Sequence, residues 1–238
     1  MPKAVRVLHI ADLSTIGGIE SMLMDFFSCA IPGWDFLLFS PAPILANWEE
    51  KLESLNIPFR TGTGAGWFEE AAGYALAKEA DLVHLHYPWR RAKIALRKKG
   101  ISKIIEHNHG AIAHRSWVGA YKERLYRDRV DGVIAVSDAV RFMLRKRVGY
   151  PESKIRTIHN GIDFSRLARK EETLALPVDG KKVITTICRL VTVKGVDAIL
   201  RSIPLILQER DDVVFWVVGD GPLRGDLEDL ADRLGVKE

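Results

Sequence analysis

The sequence predicts an α/β protein: a doubly wound domain followed by an incomplete second domain of the same kind. Three observations carry that expectation. Short apolar runs alternate with longer amphipathic segments through residues 5–158. The runs at 5–10 and 132–136 are β-branched and apolar on both alternations, the pattern of parallel strands covered on both faces. After a polar stretch the alternation resumes, but it completes two βα units before residue 238.

Taken in order, strands are expected at 5–10, 34–39, 57–60, 81–86, 103–107, 132–136 and 155–158, with helices at 18–29, 45–55, 68–78, 90–99 and 115–129 between them. Asp138 is a plausible N-cap for the helix that follows, Gly149 ends it, and Pro151 prevents its return. Residues 164–180 are polar and turn-rich, with Pro177 and Gly180, and read as a linker. Beyond it come a strand at 182–187, a helix at 196–208, a strand at 213–218 and a helix at 223–234. The expected domains are 1–163 and 181–238, joined by that linker.

Composition bounds the class. Apolar residues make up 47% of the 238 and charged residues 28%, which excludes disordered, collagenous and membrane-spanning chains. No apolar h-region opens the chain and no run of 18 apolar residues occurs, so the expected location is the cytoplasm. Cys29 and Cys188 lack metal-type spacing and read as packed thiols. Charge is uneven: residues 1–81 hold 5 basic and 11 acidic side chains, residues 82–150 hold 16 and 5. Arg90, Arg91, Lys93, Arg97, Lys98, Lys99 and Lys103 come without an intervening acid, and Arg141, Arg145, Lys146 and Arg147 repeat the pattern. Such a field attracts a phospholipid surface or an anionic lipid-linked substrate. No nucleic-acid-binding motif accompanies it, so nucleic acid is not an expected partner.

Several loops carry chemistry. Thr15-Ile16-Gly17-Gly18-Ile19-Glu20 lies where the first strand hands over to its helix, so backbone N–H groups there can face an anion at the positive helix end. The run is neither G-x-G-x-x-G nor a Walker loop, and a dinucleotide-dependent oxidoreductase loses support. Asp81-Leu82-Val83-His84-Leu85-His86 places two imidazoles on one side of a strand near its carboxyl edge, and His107 and His109 repeat that spacing. With no carboxylate or thiol to complete a metal set, polar substrate contacts are the better reading, with no metal expected. His86 is the residue expected to meet substrate, and His84 reads as a core histidine. Arg189 and Lys194 flank the turn after a later strand, where two cations can hold a diphosphate as its charge grows during bond breakage. Gly219-Asp220-Gly221-Pro222 follows the next strand, with glycines for close backbone approach and Pro222 at the expected helix start.

With these six elements in order, Gly17-Gly18-x-Glu20, the His84-x-His86 run, Val136-Ser137, His159-Asn160-Gly161-Ile162-Asp163, Arg189-x4-Lys194-Gly195 and Gly219-x-Gly221-Pro222, the chain resembles the retaining glycosyltransferases of the GT-B fold, family 4, formerly glycosyltransferase group 1. The resemblance implies a Rossmann-like acceptor-side domain and an incomplete Rossmann-like donor domain. It implies transfer of a sugar from a nucleotide-diphosphate sugar to an acceptor hydroxyl with retention, in polysaccharide or glycolipid synthesis and without a metal. Gly17, Gly18, Gly219 and Gly221 would then approach the donor phosphates, and His86 the donor sugar. Arg189 and Lys194 would neutralise the departing diphosphate, while Glu20, His109, Asn160 and Asp163 would shape the cleft.

Two departures stand out. Cys188 occupies a position where the family commonly has Gly, and no E-x7-E motif follows Gly221. The expectation is therefore a C-terminally truncated transferase whose donor pocket is incomplete. The alternative is a non-catalytic acceptor-binding or assembly module, paired with a partner chain that supplies the remainder. A lipid-linked or saccharide acceptor and peripheral contact with an anionic inner membrane face complete the expected partners.

Overall fold

A computed structural model describes residues 3–29, 31–110, 116–164 and 180–237. The chain divides into two compact units, Met1–Arg169 and Lys170–Glu238. Nearly all of the expected linker, 165–179, lies outside the described residues, as does Arg115 at the start of one expected helix.

The first unit is a seven-stranded parallel sheet built from β1 (Val5–Ile10), β2 (Trp34–Ser40), β3 (Phe59–Thr61), β4 (Leu82–Leu85), β5 (Ile104–Asn108), β6 (Gly132–Ala135) and β7 (Ile155–Thr157). The spatial order is β3-β2-β1-β4-β5-β6-β7, so the chain reverses direction of growth between β1 and β4. Such a switch opens a crevice at the carboxyl ends of the strands. The two edge strands are also the shortest, three residues each. β3 begins later than the expected 57–60 because Pro58 has no N–H for the ladder; its carbonyl still accepts from the Leu38 N–H at 3.0 Å.

Helices α1 (Gly18–Ser28) and α2 (Ala46–Ser54) cover one face of the sheet, where Leu23, Met24, Phe27 and Leu52 pack on Val7, Phe36 and Leu38. Helices α3 (Trp67–Ala77) and α4 (Arg90–Lys98) cover the other, burying Ala71, Ala75, Ala92 and Leu96 on Leu8, Ile10, Val83 and Leu85. Alternate residues of each strand therefore belong to different layers, which is why the central strands read as unbroken apolar runs.

Two helices differ from expectation. The segment at 115–129 is α5 (Trp117–Arg124), capped by Ser116, whose Oγ accepts from the Gly119 N–H at 2.9 Å, and then a separate 3-10 turn over Arg127–Arg129 that delivers Val130 into the core. The cap of α6 (Asp138–Met143) is Ser137, not Asp138: Ser137 has the extended backbone an N-cap needs, and its Oγ accepts from the Val140 N–H at 3.3 Å. Asp138 accepts instead from the Thr157 hydroxyl at 3.0 Å. The chain then widens into a π-helical turn over Leu144–Val148, which Gly149 ends at φ 76°.

The second unit contains β8 (Lys182–Ile187) and β9 (Val213–Val218), paired in parallel, with α7 (Val196–Leu207) and α8 (Arg224–Leu234). Its core is Leu190, Val196, Leu200, Ile203, Leu227 and Leu230. Pro222, expected at the first position of the last helix, lies before it, in a turn closed by the Arg224 N–H to the Gly221 carbonyl at 3.0 Å.

Candidate functional site

Parallel pairing sets His9 of β1 opposite His84 of β4, and β5 carries the register onward so that His86, His107 and His109 fall on the same face at the carboxyl edge. Five imidazoles thus meet across three adjacent strands. His9 Nδ1 lies 3.0 Å from His86 Nε2, and His86 Nδ1 lies 3.2 Å from His109 Nε2, a hydrogen-bonded relay of three rings. His84 and His107 stack at 5.4 Å, and His107 and His109 approach to 4.0 Å between centroids. Phe26 and Phe27 of α1 and Phe36 of β2 close the cluster around His9.

Burial decides the charge of this cluster. Removing an imidazolium from water disfavours the charged form, and neighbouring imidazoles repel a second proton. His9 and His86 are pushed well below the ordinary histidine range by burial, with the other histidines adding to it. Burial and His109 lower His84 to about 4, burial with His109 and His84 lowers His107 to about 2, and burial lowers His109 to about 4. All five are neutral at pH 7.

The structure separates the two histidines on which the sequence placed most weight. His86 is 2% exposed and has both ring nitrogens held by other histidines. His109 is half-buried, and its Nδ1 has no hydrogen-bond partner among the described residues. His84 is half-buried as well, with its Nε2 likewise unpartnered among the described residues, so the less enclosed rings of the cluster are His84 and His109.

Beside this edge runs the glycine loop. Gly17 caps α1 with no side chain, leaving first-turn N–H groups to other partners. Glu20 turns back beneath it: its carboxylate accepts from the Thr15 hydroxyl at 3.0 Å, and a Cβ on Gly17 would lie 2.7 Å from Glu20 Oε2. Gly18 has open space where its Cβ would be. Trp48 of α2 ties the loop down, donating its indole N–H to the Thr15 carbonyl at 2.9 Å. A cavity of about 720 Å³ adjoins α1, lined by Gly18, Ser21, Asp25, Trp48, Asn160 and Asp163 among others, so the structure brings Gly18 together with the Asn160–Asp163 segment.

In the second unit the two strand-end loops are knitted by backbone. The Cys188 N–H reaches the Val218 carbonyl at 3.1 Å, Leu190 N–H the Asp220 carbonyl at 2.8 Å, and Leu223 N–H the Leu190 carbonyl at 3.2 Å. A Cβ on Gly219 would lie 1.9 Å from the Cys188 carbonyl oxygen, and one on Gly221 2.5 Å from that of Leu190. The glycines are there because backbone passes against backbone. Arg189 and Lys194 are exposed at the same end, and Gly195, at φ 66°, turns the chain into α7.

Two family models match the chain: Glycosyltransferase Family 4 over residues 29–166 and Glycosyl transferases group 1 over residues 181–238. The chain belongs to glycosyltransferase family 4. This family 4 chain is 27% identical over 164 residues to spore coat protein SA of Bacillus subtilis, covering 64% of the chain and 43% of that relative. It is 32% identical over 127 residues to the alpha-monoglucosyldiacylglycerol synthase of Streptococcus pneumoniae, covering 50% and 28%. A GDP-mannose-dependent alpha-(1-6)-phosphatidylinositol monomannoside mannosyltransferase of Mycolicibacterium smegmatis matches at 27% over 149 residues, 60% and 39%. The chain thus spans less than half the length of these curated relatives. Among solved structures, Anabaena HepE in complex with UDP-glucose superposes with a TM-score of 0.76 at 20% identity, covering 98% of this chain and 67% of that one. A glycosyltransferase from Rickettsia africae gives 0.74 at 17%, covering 100% and 67%. These likenesses show the GT-B fold.

Sequence reasoning missed His9 and misread Lys93. His9 sits in an apolar run with its partner His86 77 residues away; the shared strand parity of two histidine-bearing strands was the available signal. Lys93, counted in the anion-attracting sector, is fully buried between Glu106 of β5 and Glu123 of α5, with the Tyr150 hydroxyl 3.5 Å from its Nζ. Burial alone would lower its pKa, but the two carboxylates outweigh it and hold the ammonium above its ordinary value. Others of the sector are also paired: Arg97 with Asp131 at 2.7 Å, and Arg141 and Arg145 with Glu152. Lys98, Lys99, Lys103 and Lys146 remain exposed.

Proposed function

We propose that the protein transfers a sugar from a nucleotide-diphosphate donor to an acceptor hydroxyl with retention of anomeric configuration. The observation that carries this reading is the knitted pair of loops in the second unit. Gly219 and Gly221 let the two loops pass backbone against backbone, and this fixes the strand ends at which the Arg189 and Lys194 cations are exposed. That is the equipment for a diphosphate leaving group. The bond from the anomeric carbon to the phosphate oxygen breaks, the bond to the acceptor oxygen forms on the same face, and the acceptor proton passes to the departing phosphate. Arg189 and Lys194 offset its growing charge. In the first unit, His109 is a neutral hydrogen-bonding group for substrate, bonded to His86 and through it to His9.

The donor candidates are UDP-glucose, bound by the Anabaena structure, and GDP-mannose, on which the mycobacterial relatives depend. A lipid acceptor is favoured by the pneumococcal and mycobacterial relatives and by α5 and its C-cap, which leave Trp117, Val118, Tyr121 and Leu125 exposed beside Lys122 and Arg124. An apolar stripe flanked by cations is the surface that lies down on an anionic bilayer. No described helix is long and apolar enough to cross one.

The test is transfer by the protein with each donor and a membrane-lipid acceptor. Arg189→Ala and Lys194→Ala, both at exposed positions, should each lower kcat about 100-fold or more with the fold intact. Unchanged turnover in both variants, or no transfer and no donor hydrolysis with either donor, overturns the proposal. Flotation with anionic vesicles should weaken in Trp117→Ala, and binding equal on anionic and neutral vesicles would remove the bilayer as the docking surface.

A further inference from the structure

We infer that His86, His107 and His109 form a binding site for one divalent transition metal ion of the zinc class. The three offer nitrogens that all lie within 4.8 Å of one another. A tetrahedral centre with ordinary metal–nitrogen bonds needs ligand nitrogens about 3.3 Å apart. His86 Nδ1 and His109 Nε2 already stand at 3.2 Å, and the His107 ring lies 4.0 Å from that of His109, so side-chain rotation closes the set.

The hydrogen bonding points the same way. Both nitrogens of His107 are buried without a hydrogen-bond partner among the described residues, although buried polar atoms are ordinarily satisfied. The hydrogen bond between His86 and His109 gives way to two metal–nitrogen bonds when His109 carries its proton on Nδ1. His107 is 7% exposed and holds two such atoms. A neutral imidazole carries one free lone pair, which an anion cannot use and a borderline-soft cation can. The surroundings are already those of a ligand shell: His86 keeps its other nitrogen 3.0 Å from His9 Nδ1, the outer contact that fixes the orientation of a metal-bound histidine.

A second triad, His9, His84 and His86, also lies within 4.8 Å. It too has one half-buried member, His84, but Phe26, Phe27 and Phe36 pack around its His9. Among the described residues it holds two unpartnered nitrogens, His9 Nε2 and His84 Nε2, against three in the outer triad, which is the one assigned. On the proposed transfer reading, an ion there takes up the His109 lone pair and so withdraws it from substrate. Binding itself does not depend on that reading.

Untagged protein, stripped with chelator and dialysed, is titrated with Co²⁺ as a spectroscopic probe and with Zn²⁺ by calorimetry. The expected result is one Co²⁺ per chain with the intense visible bands of a four-coordinate nitrogen site, displaced by one Zn²⁺. His107→Gln abolishes the bands, His9→Gln weakens affinity roughly tenfold, and His159→Gln, at an exposed ring elsewhere, changes nothing. Circular dichroism checks folding; His109→Gln, at the half-buried edge position, replaces His107→Gln where that variant fails to fold. Absence of stoichiometric binding, or binding that survives His107→Gln and His109→Gln, overturns the site. Metal binding without sugar transfer leaves it standing and counts against the transfer reading alone.

Discussion

The two faces of β5 carry opposite solutions to placing polar groups inside a protein. Glu106 points to one layer, where Lys93, Tyr150 and, across the lysine, Glu123 pair it. His107, one residue on, points to the other layer and joins rings that are neutral and incompletely hydrogen-bonded. The first face keeps its charges and satisfies them; the second discards charge and leaves lone pairs unused. A satisfied ionic network is costly to break in part, whereas unused lone pairs are available to a ligand. Structure and chemistry thus divide between alternate residues of one strand.

The sharpest way to break the contrast is Lys93→Met, which leaves two buried carboxylates without their cation. Urea denaturation should show a loss of about 3–5 kcal/mol, most of it recovered when Glu106→Gln and Glu123→Gln are added. A small loss would mean that the network is not held as tightly as its burial implies.

Acid should act on the histidine face next. The folded-state pKa of His84, about 4, lies below its unfolded value of about 6.5, so between those values the unfolded chain takes up a proton that the folded one refuses. Its contribution is full above pH 6.5 and falls as pH drops towards 4, by about 3 kcal/mol in metal-free protein. Glu123 works in the opposite sense, since burial raises its pKa and acid relieves the cost of its charge. Denaturation midpoints at pH 7 and pH 5 should therefore fall with acid in the native chain and fall less in His84→Phe.

Removing a single side chain from each face gives the smallest effects and differs in sign. Metal-free His107→Leu should be neutral or stabilising by up to about 1 kcal/mol, because the lost ring had no hydrogen bonds to forfeit. Tyr150→Phe should cost about 1 kcal/mol, the hydroxyl contact with Glu106. Matching signs in the two variants would erase the distinction between the faces.

Much of the fold was legible because the sheet is buried on both sides: the unbroken apolar runs at β1 and β6 and the punctuation by Gly149 and Pro151 are local signals. Local signals also located the histidine-bearing strand ends, Gly17-Gly18 and the Gly219–Gly221 loop. What could not be read depends on pairing over distance. Nothing near Lys93 marks it as buried; its partners lie 13 and 30 residues on, at Glu106 and Glu123. His86 was favoured from its place at a strand end, but which of several histidines is enclosed follows from the register of three strands. The Ser137 cap and the break after Arg124 were local choices between adjacent candidates, where hydrogen-bond geometry decides.

One further property follows from the lengths of the strands. With β3 and β7 at the edges, the seven-stranded sheet presents three strand residues of unpaired ladder on either side. An exposed ladder is the template on which another chain adds, and shortness is one of the means by which proteins blunt it. The sheet of the first unit is therefore poorly suited to seed edge-to-edge aggregation, and its colloidal behaviour is set by the helices and loops on its surface.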